Sequence, residues 1–407
     1  MRKKSAVLLV CLLGVVLSIT LLSSSSIAKE KKVFFLTLAD LTGPAAGLST
    51  PIDCAVRDYF KSVNEGGGVD GIEIDVIGVD SRYDTARAVS AYKRYRKRPK
   101  LLLTMSSSSG MGDAIQPMIE RDKSMFLAPG SGERQGHLRR GFCFYGPYQD
   151  TFGAAVDWLM EDWKTKGKSG KPVLGYIAFD NAWGHEVMRG GKEYVESKGI
   201  KLLPPELFTP GTLKFDVYLT RLAKGGADYI YVEVCDPTPT YITRDAHALG
   251  LTKKIQMIHG PWGATKLGIE SHPEALEGTV VVSWVLRGPE AEEHPLLRDL
   301  AIKHRGSLDY VTTGYTVGVG IAIFFEGALR KALADVGYEK INGQAMYEAY
   351  QKITGLENGG ISGPCAYGPK SRRGTDTVKF YRIKGGKAVP LSDWTKSPDT
   401  ISYHKNW

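Results

Sequence analysis

Leu101-Leu102-Leu103-Thr104-Met105-Ser106-Ser107-Ser108-Ser109-Gly110-Met111-Gly112 is the stretch on which the reading of this chain turns. A short apolar run enters a row of four serines, and Gly110 then opens a segment with helix-compatible spacing up to Arg121, so the pattern reads strand, hydroxyl-rich turn, helix. Backbone N–H groups at a helix N-terminus carry partial positive charge, and serine hydroxyls beside them donate to an anion such as a carboxylate. A plainer account has Ser109 capping the helix while its neighbours solvate a loop. The remainder of the chain decides between the two, because it supplies a second half to face this one.

Outward from that stretch, strand-like apolar runs alternate with amphipathic segments. Before it come strands at Val33 to Ala39 and Ile72 to Val79, with helices at Pro51 to Asn64 and Thr85 to Lys97; after it comes a strand at Met125 to Ala128. Gly146 and Pro147 break the rhythm, and a second series begins: helix Thr151 to Lys164, strand Val173 to Phe179, helix His185 to Lys198, strand Lys201 to Phe208, helix Leu213 to Lys224, strand Tyr229 to Val234, helix Thr238 to Leu249. Strands near Ile255 to Ile258 and Thr279 to Trp284 follow, then helices near Leu296 to Arg305, Val317 to Val336 and Gln344 to Lys352, and a late strand at Thr377 to Ile383. Such alternation predicts parallel sheets covered by helices, here as two doubly wound α/β lobes.

Ligands of open parallel sheets sit in the loops outside the carboxyl ends of the strands. In the first lobe those loops are Asp40 to Thr50, Ser106 to Gly112 and Pro129 to Gly132, rich in Ser and Gly. In the second they are Asp180 to Gly184, Cys235 to Thr238 and Gly260 to Gly263, which carry Asp180, Trp183, Asp236 and Trp262.

The ends and the composition limit the function classes. Arg2, Lys3 and Lys4 precede sixteen residues from Val7 to Leu22 without a charge, and Ser26 and Ala28 prepare a cut before Lys29: a secretory leader over residues 1–28, too short in its apolar run for the roughly 20 residues of a membrane span. Cys11 is no lipid-attachment site, since Val10 precedes it and the apolar run continues beyond it. The formal charge of +9 falls to +6 without the three leader cations, and its densest part, Lys93 to Lys100, reads as the solvated end of a helix, so a nucleic-acid partner is not expected. Cys54, Cys143, Cys235 and Cys365 lie far apart with no Cys-x-x-Cys pair, which argues against a metal or redox site and leaves one disulfide open without choosing its partners. Neither a Gly-x-Ser-x-Gly elbow, nor a P-loop, nor an intact Gly-x-Gly-x-x-Gly is present, and His185, His247 and His259 are scattered; the expectation is a binding protein without cofactor or catalytic residues.

An ordered series of motifs then carries a family resemblance. Thr42-Gly43-Pro44 with Ala45 and Ala46, Asn64-Glu65-Gly66-Gly67-Gly68, Asp80, Asp84 to Ala88, Ala128-Pro129-Gly130, Asp180 to Gly184, Pro210-Gly211-Thr212 with Phe215, Ala248 to Leu251, Gly260 to Gly263 and Ser362-Gly363-Pro364 resemble the landmarks of the leucine/isoleucine/valine-type periplasmic binding proteins. The resemblance implies a type I periplasmic binding protein fold, two lobes joined by three crossovers. The first lobe would take residues 29–147 and 284–356, the second residues 148–283 and 357–407. It further implies a monomer in the periplasm that captures a small solute in the cleft and hands it to an ABC permease in the inner membrane.

The resemblance assigns the ligand's carboxylate to Ser107, Ser108, Ser109, Gly130, Ser131 and Gly132, and adds Leu48 and Tyr148 to the cleft. Amino-acid binders of the family place an acid between Gly-Pro and Gly to pair with the ligand's ammonium; here that position is Trp262. Burying an ammonium without its partner costs roughly 1–3 kcal/mol or more. A carboxylate without an α-amino group is therefore expected, aromatic or short aliphatic, between flat walls of Trp183, Trp262, Trp284 and Tyr148. The alternative is an amino acid whose ammonium pairs with Asp236, and a further alternative is a stand-alone sensor; no anchoring segment after the late strand favours the free transport component over the latter.

Overall fold

The structure, a computed structural model, describes residues 31–128 and 139–405; the leader and the Gly130-Ser131-Gly132 loop lie outside the described residues. Among the described residues no helix is long and apolar enough to cross a membrane.

The first sheet is wholly parallel, in the order β2 (Glu73–Asp80), β1 (Lys32–Ala39), β3 (Leu101–Ser106), β4 (Phe126–Ala128) and β5 (Gly141–Cys143). Its central strand β3 is buried at all six positions, which is why Leu101 to Met105 shows no apolar–polar alternation: helices cover both faces. β5 is three residues long and escaped the sequence reading, since so short a run has no periodicity to detect.

The second sheet has a parallel centre, β11 (Val280–Ser283), β10 (Gln256–His259), β9 (Tyr229–Glu233) and β6 (Val173–Phe179). The run Lys201 to Phe208, read as one strand, is two pieces along β6: β7 (Lys201–Leu202) and β8 (Glu206–Phe208). Pro204 and Pro205 separate them, because neither offers an N–H to the ladder. After β12 (Thr354–Leu356) and its partner β13 (Cys365–Ala366), the late strand β14 (Thr377–Lys384) adds antiparallel to β11 and carries β15 (Lys387–Pro390) and β16 (Thr395–Lys396). The chain passes between the two sheets after β5, after β11 and before β14.

The first lobe is completed by the helix Thr313–Lys340, which packs along the helix Ala46–Glu65. Their close approach depends on Gly318, where a Cβ would lie 2.5 Å from the Ile52 carbonyl oxygen. The helix expected at His185 to Lys198 is two, Ala182–Glu186 and Met188–Ser197, kinked at Gly190 (φ +91°) under the Thr400 carbonyl. All four cysteines of the described region are free thiols.

Candidate functional site

β3 keeps pairing to its end, where the Ser107 N–H donates to the Leu38 carbonyl at 3.2 Å. Ser108 then turns the chain in extended geometry (φ −150°, ψ 151°), and its Oγ accepts from the Met111 N–H at 3.2 Å as the N-cap of the helix Ser109–Arg121. The cap is therefore Ser108 and not Ser109. Freed from that duty, the Ser109 Oγ is buried and has no hydrogen-bond partner among the described residues, at the end of the helix where N–H groups are in excess. Gly110 keeps the space above the first turn open, since a Cβ there would meet nothing within 4 Å.

Aromatic side chains of the second lobe face this turn. Trp183 sits on a short helix capped by Asn181, Tyr148 opens the helix Tyr148–Thr165, and their rings lie 5.3 Å apart. Trp262, in the loop after β10, donates its indole N–H to the Tyr148 hydroxyl. Trp284 lies behind them, crossing Trp262 at 87° and donating to the Thr151 Oγ1 at 2.7 Å, so it supports the wall without lining the space in front of it.

Between turn and wall is a cavity lined by Ser107, Ser108 and Ser109 with Leu48, Ser49, Ile52, Tyr83 and Phe144 on one side and Tyr148, Trp183, Cys235 and Trp262 on the other. It measures ≈ 30 Å³, room for about one water, whereas small-molecule pockets run from about 300 to 1,000 Å³. At this spacing the two sides leave no room for a ligand between Ser109 and the tryptophans.

The acids near the wall are of two kinds. Asp236 does not line this cavity: its carboxylate accepts from the Thr240 hydroxyl at 2.8 Å and from the Thr265 N–H at 2.5 Å, and so ties two loops together. Glu233, the last residue of β9, is fully buried behind Trp183, whose indole N–H donates to its Oε1 at 3.0 Å. The Tyr231 hydroxyl lies beside the carboxyl, and burial, the largest cause, pushes it up to about 8, so at neutral pH it holds its proton. Gly260 is required above it, since a Cβ would sit 2.6 Å from the Glu233 Oε2. The Trp262 loop is held from below by Arg287, whose buried guanidinium donates to the carbonyls of Pro261 and Gly263 and to the Ser283 hydroxyl.

Sequence reasoning placed Ser49 and Cys235 in cleft loops without singling them out, and missed Ile52, Tyr83, Phe144, Glu233 and Arg287. Glu233 had a signal: one acid closing an otherwise apolar strand, Tyr229-Ile230-Tyr231-Val232-Glu233, at the carboxyl end where ligands gather. Arg287 had none, because its partners are backbone carbonyls of another loop.

Two α/β lobes meeting at a cleft, with helix-end donors on one side and an aromatic wall on the other, are the framework of a solute-binding receptor. The chain belongs to the periplasmic binding protein family, whose sequence profile matches residues 32–388. No curated protein sequence matches it. Among solved structures it is similar to a branched-chain amino acid ABC transporter protein of Thermus thermophilus with bound valine (18% identity, 92% of this chain and 98% of that one, TM-score 0.80). It is also similar to a fatty acid ABC transporter substrate-binding protein of Thermomonospora curvata (21%, 93% and 95%, 0.77) and to a solute-binding protein of Rhodopseudomonas palustris in complex with benzoate (16%, 91% and 98%, 0.73). At these identities the likeness establishes the fold.

Proposed function

We propose that this protein is the solute-capturing component of an ABC importer, acting outside the inner membrane, and that its ligand is a small carboxylate with an apolar body and no ammonium group. The observation that carries the reading is the buried, unpartnered Ser109 Oγ at a helix N-terminus facing Trp183 and Trp262. The carboxylate docks on the first lobe through Ser109 and the first-turn N–H groups, and the aromatic wall closes over the body. Closure follows because the wall contacts the ligand only when the lobes meet, which gives the closed form its higher affinity.

An ammonium finds no charged acid on the wall: Trp262 stands at the family's acidic position, Asp236 is engaged elsewhere and Glu233 is protonated. The three similar structures are of a protein with bound valine, a fatty acid transporter protein and a protein in complex with benzoate, so carboxylates with and without an amino group occur on this fold. A second reading, an α-amino acid, has the buried Glu233 carboxyl behind Trp183 in its favour.

The test is a thermal-shift screen of the mature protein against α-amino acids and against the matching carboxylates lacking the amino group, since a ligand of the native state raises the melting temperature. Stabilisation by the plain carboxylates is expected, and stabilisation by amino acids alone would overturn the ligand assignment in favour of Glu233 as the ammonium partner. The double variant Trp183→Ala/Trp262→Ala is expected to lose at least about a hundredfold in affinity, from about 1.5–3 kcal/mol for each large apolar side chain removed. Unchanged affinity would refute closure by the wall.

A further inference from the structure

Beside the cavity at Ser109 lies a second and far roomier space between the lobes, ≈ 390 Å³ against ≈ 30 Å³. Gly47, Leu48 and Gly314 close it from the first lobe, and Pro237, Tyr241 and Leu267 from the second. Leu48 lines both cavities, and the adjacent residues Cys235 and Asp236 line one each, so the two are neighbours across a single side chain.

Its charged members are already committed. Asp236 accepts from Thr240 and Thr265, and Lys266 is paired with Glu292 at 3.2 Å and with Asp309 at 2.9 Å. Thr265, Ser271, His272 and Thr312 also line it, with their side chains hydrogen-bonded within the protein, and most of what remains toward the space is apolar, including Leu267, a large aliphatic side chain left 73% exposed at its rim.

We infer that this outer cavity is a tail subsite: a carboxylate held at Ser109 passes its hydrocarbon chain over Leu48 and buries the far end between Tyr241 and Leu267, so the ligand class extends to medium-chain aliphatic acids. This rests on the carboxylate reading above. A chain in this subsite touches both lobes at once, and so adds to the preference for the closed form.

The test is calorimetric titration with straight-chain acids from butanoate to dodecanoate, on the wild type and on Gly47→Phe. A side chain at Gly47 enters open space, with nothing within 4 Å of its Cβ, so the variant fills the subsite without a clash. In the wild type, affinity is expected to rise about three- to fourfold per methylene once the chain passes Leu48, then to level off when the cavity is full. Gly47→Phe is expected to bind butanoate as the wild type does and to lose more than about tenfold for decanoate. If Gly47→Phe does not fold, Tyr241→Ala, which strips one wall, is expected to weaken decanoate selectively. Short acids binding while longer ones gain nothing overturns the tail subsite alone, as does an unchanged length profile in the variants. No binding by a straight-chain acid of any length overturns the subsite, and if the carboxylates of the thermal-shift screen also fail to stabilise the protein the carboxylate reading falls with it.

Discussion

The two walls of the cleft differ in how far along the chain their parts are gathered. The serine turn is built within a few residues, Ser108 capping Met111 three positions on, and its donors point outward because helix geometry leaves them unpaired. The aromatic wall is held by partners 50 and 114 residues away, Trp183 to Glu233 and Trp262 to Tyr148, with Arg287 beneath it. One wall is therefore set by local rules before any lobe closes. The other exists only once the second sheet has formed, and each of its tryptophans adds one side-chain hydrogen bond to ring contacts with its neighbours. A receptor that captures first and closes second needs that asymmetry: a preformed anion seat and a movable cover.

Arg287→Ala attacks the cover hardest. It strips donors from three acceptors buried under the Trp262 loop, and unsatisfied buried groups cost about 1–3 kcal/mol each, so a loss above about 3 kcal/mol is expected in urea melts. Hydrogen exchange should rise around residues 260–264 and stay unchanged at the serine turn; equal change in both would mean that the walls are not independently held.

Glu233→Gln sharpens the comparison through pH. The native carboxyl keeps its proton up to about 8, while the unfolded one releases it near 4.5, so between those values the native state binds more protons and its stability falls as pH rises. The contribution is complete below pH 4.5 and lost through pH 8, with a slope of about 1.4 kcal/mol per pH unit at most. Glu233→Gln should remove that slope from the melting profile, and identical pH profiles in the two proteins would contradict a protonated Glu233.

Ser109→Ala has the smallest effect on the fold and a confined one on function. Its hydroxyl bonds nothing in the protein among the described residues, so stability should stay within about 0.5 kcal/mol. Loss of one hydrogen bond to a charged ligand, about 1.5–3 kcal/mol, should weaken carboxylate binding at least tenfold. Ser108→Ala should do the reverse, costing about 1 kcal/mol of stability as a lost cap.

Legibility followed the same division. The alternation of short apolar runs with amphipathic segments placed both sheets, because period and composition are local properties. Elements failed where length or chemistry gave no local sign: the three-residue β5, the proline-split β7 and β8, the antiparallel β15 and β16. At the site, the row of serines showed where donors gather but not which one caps the helix. Trp183 and Trp262 were visible in their loops, while Trp284 closes the expected strand Thr279 to Trp284, a difference in position that already set it behind the other two as a lining residue.

By itself the sequence determined the two-lobed α/β architecture and the loops that carry the cleft residues, since strand ends and turn chemistry are written in neighbouring residues. Only the tertiary structure decided that Asp236 is a structural tie, that Glu233 is the buried acid of the wall, and that the roomy cavity lies beyond Leu48. Those facts depend on which distant side chain satisfies which polar group, and burial sets both their charge and their availability to a ligand.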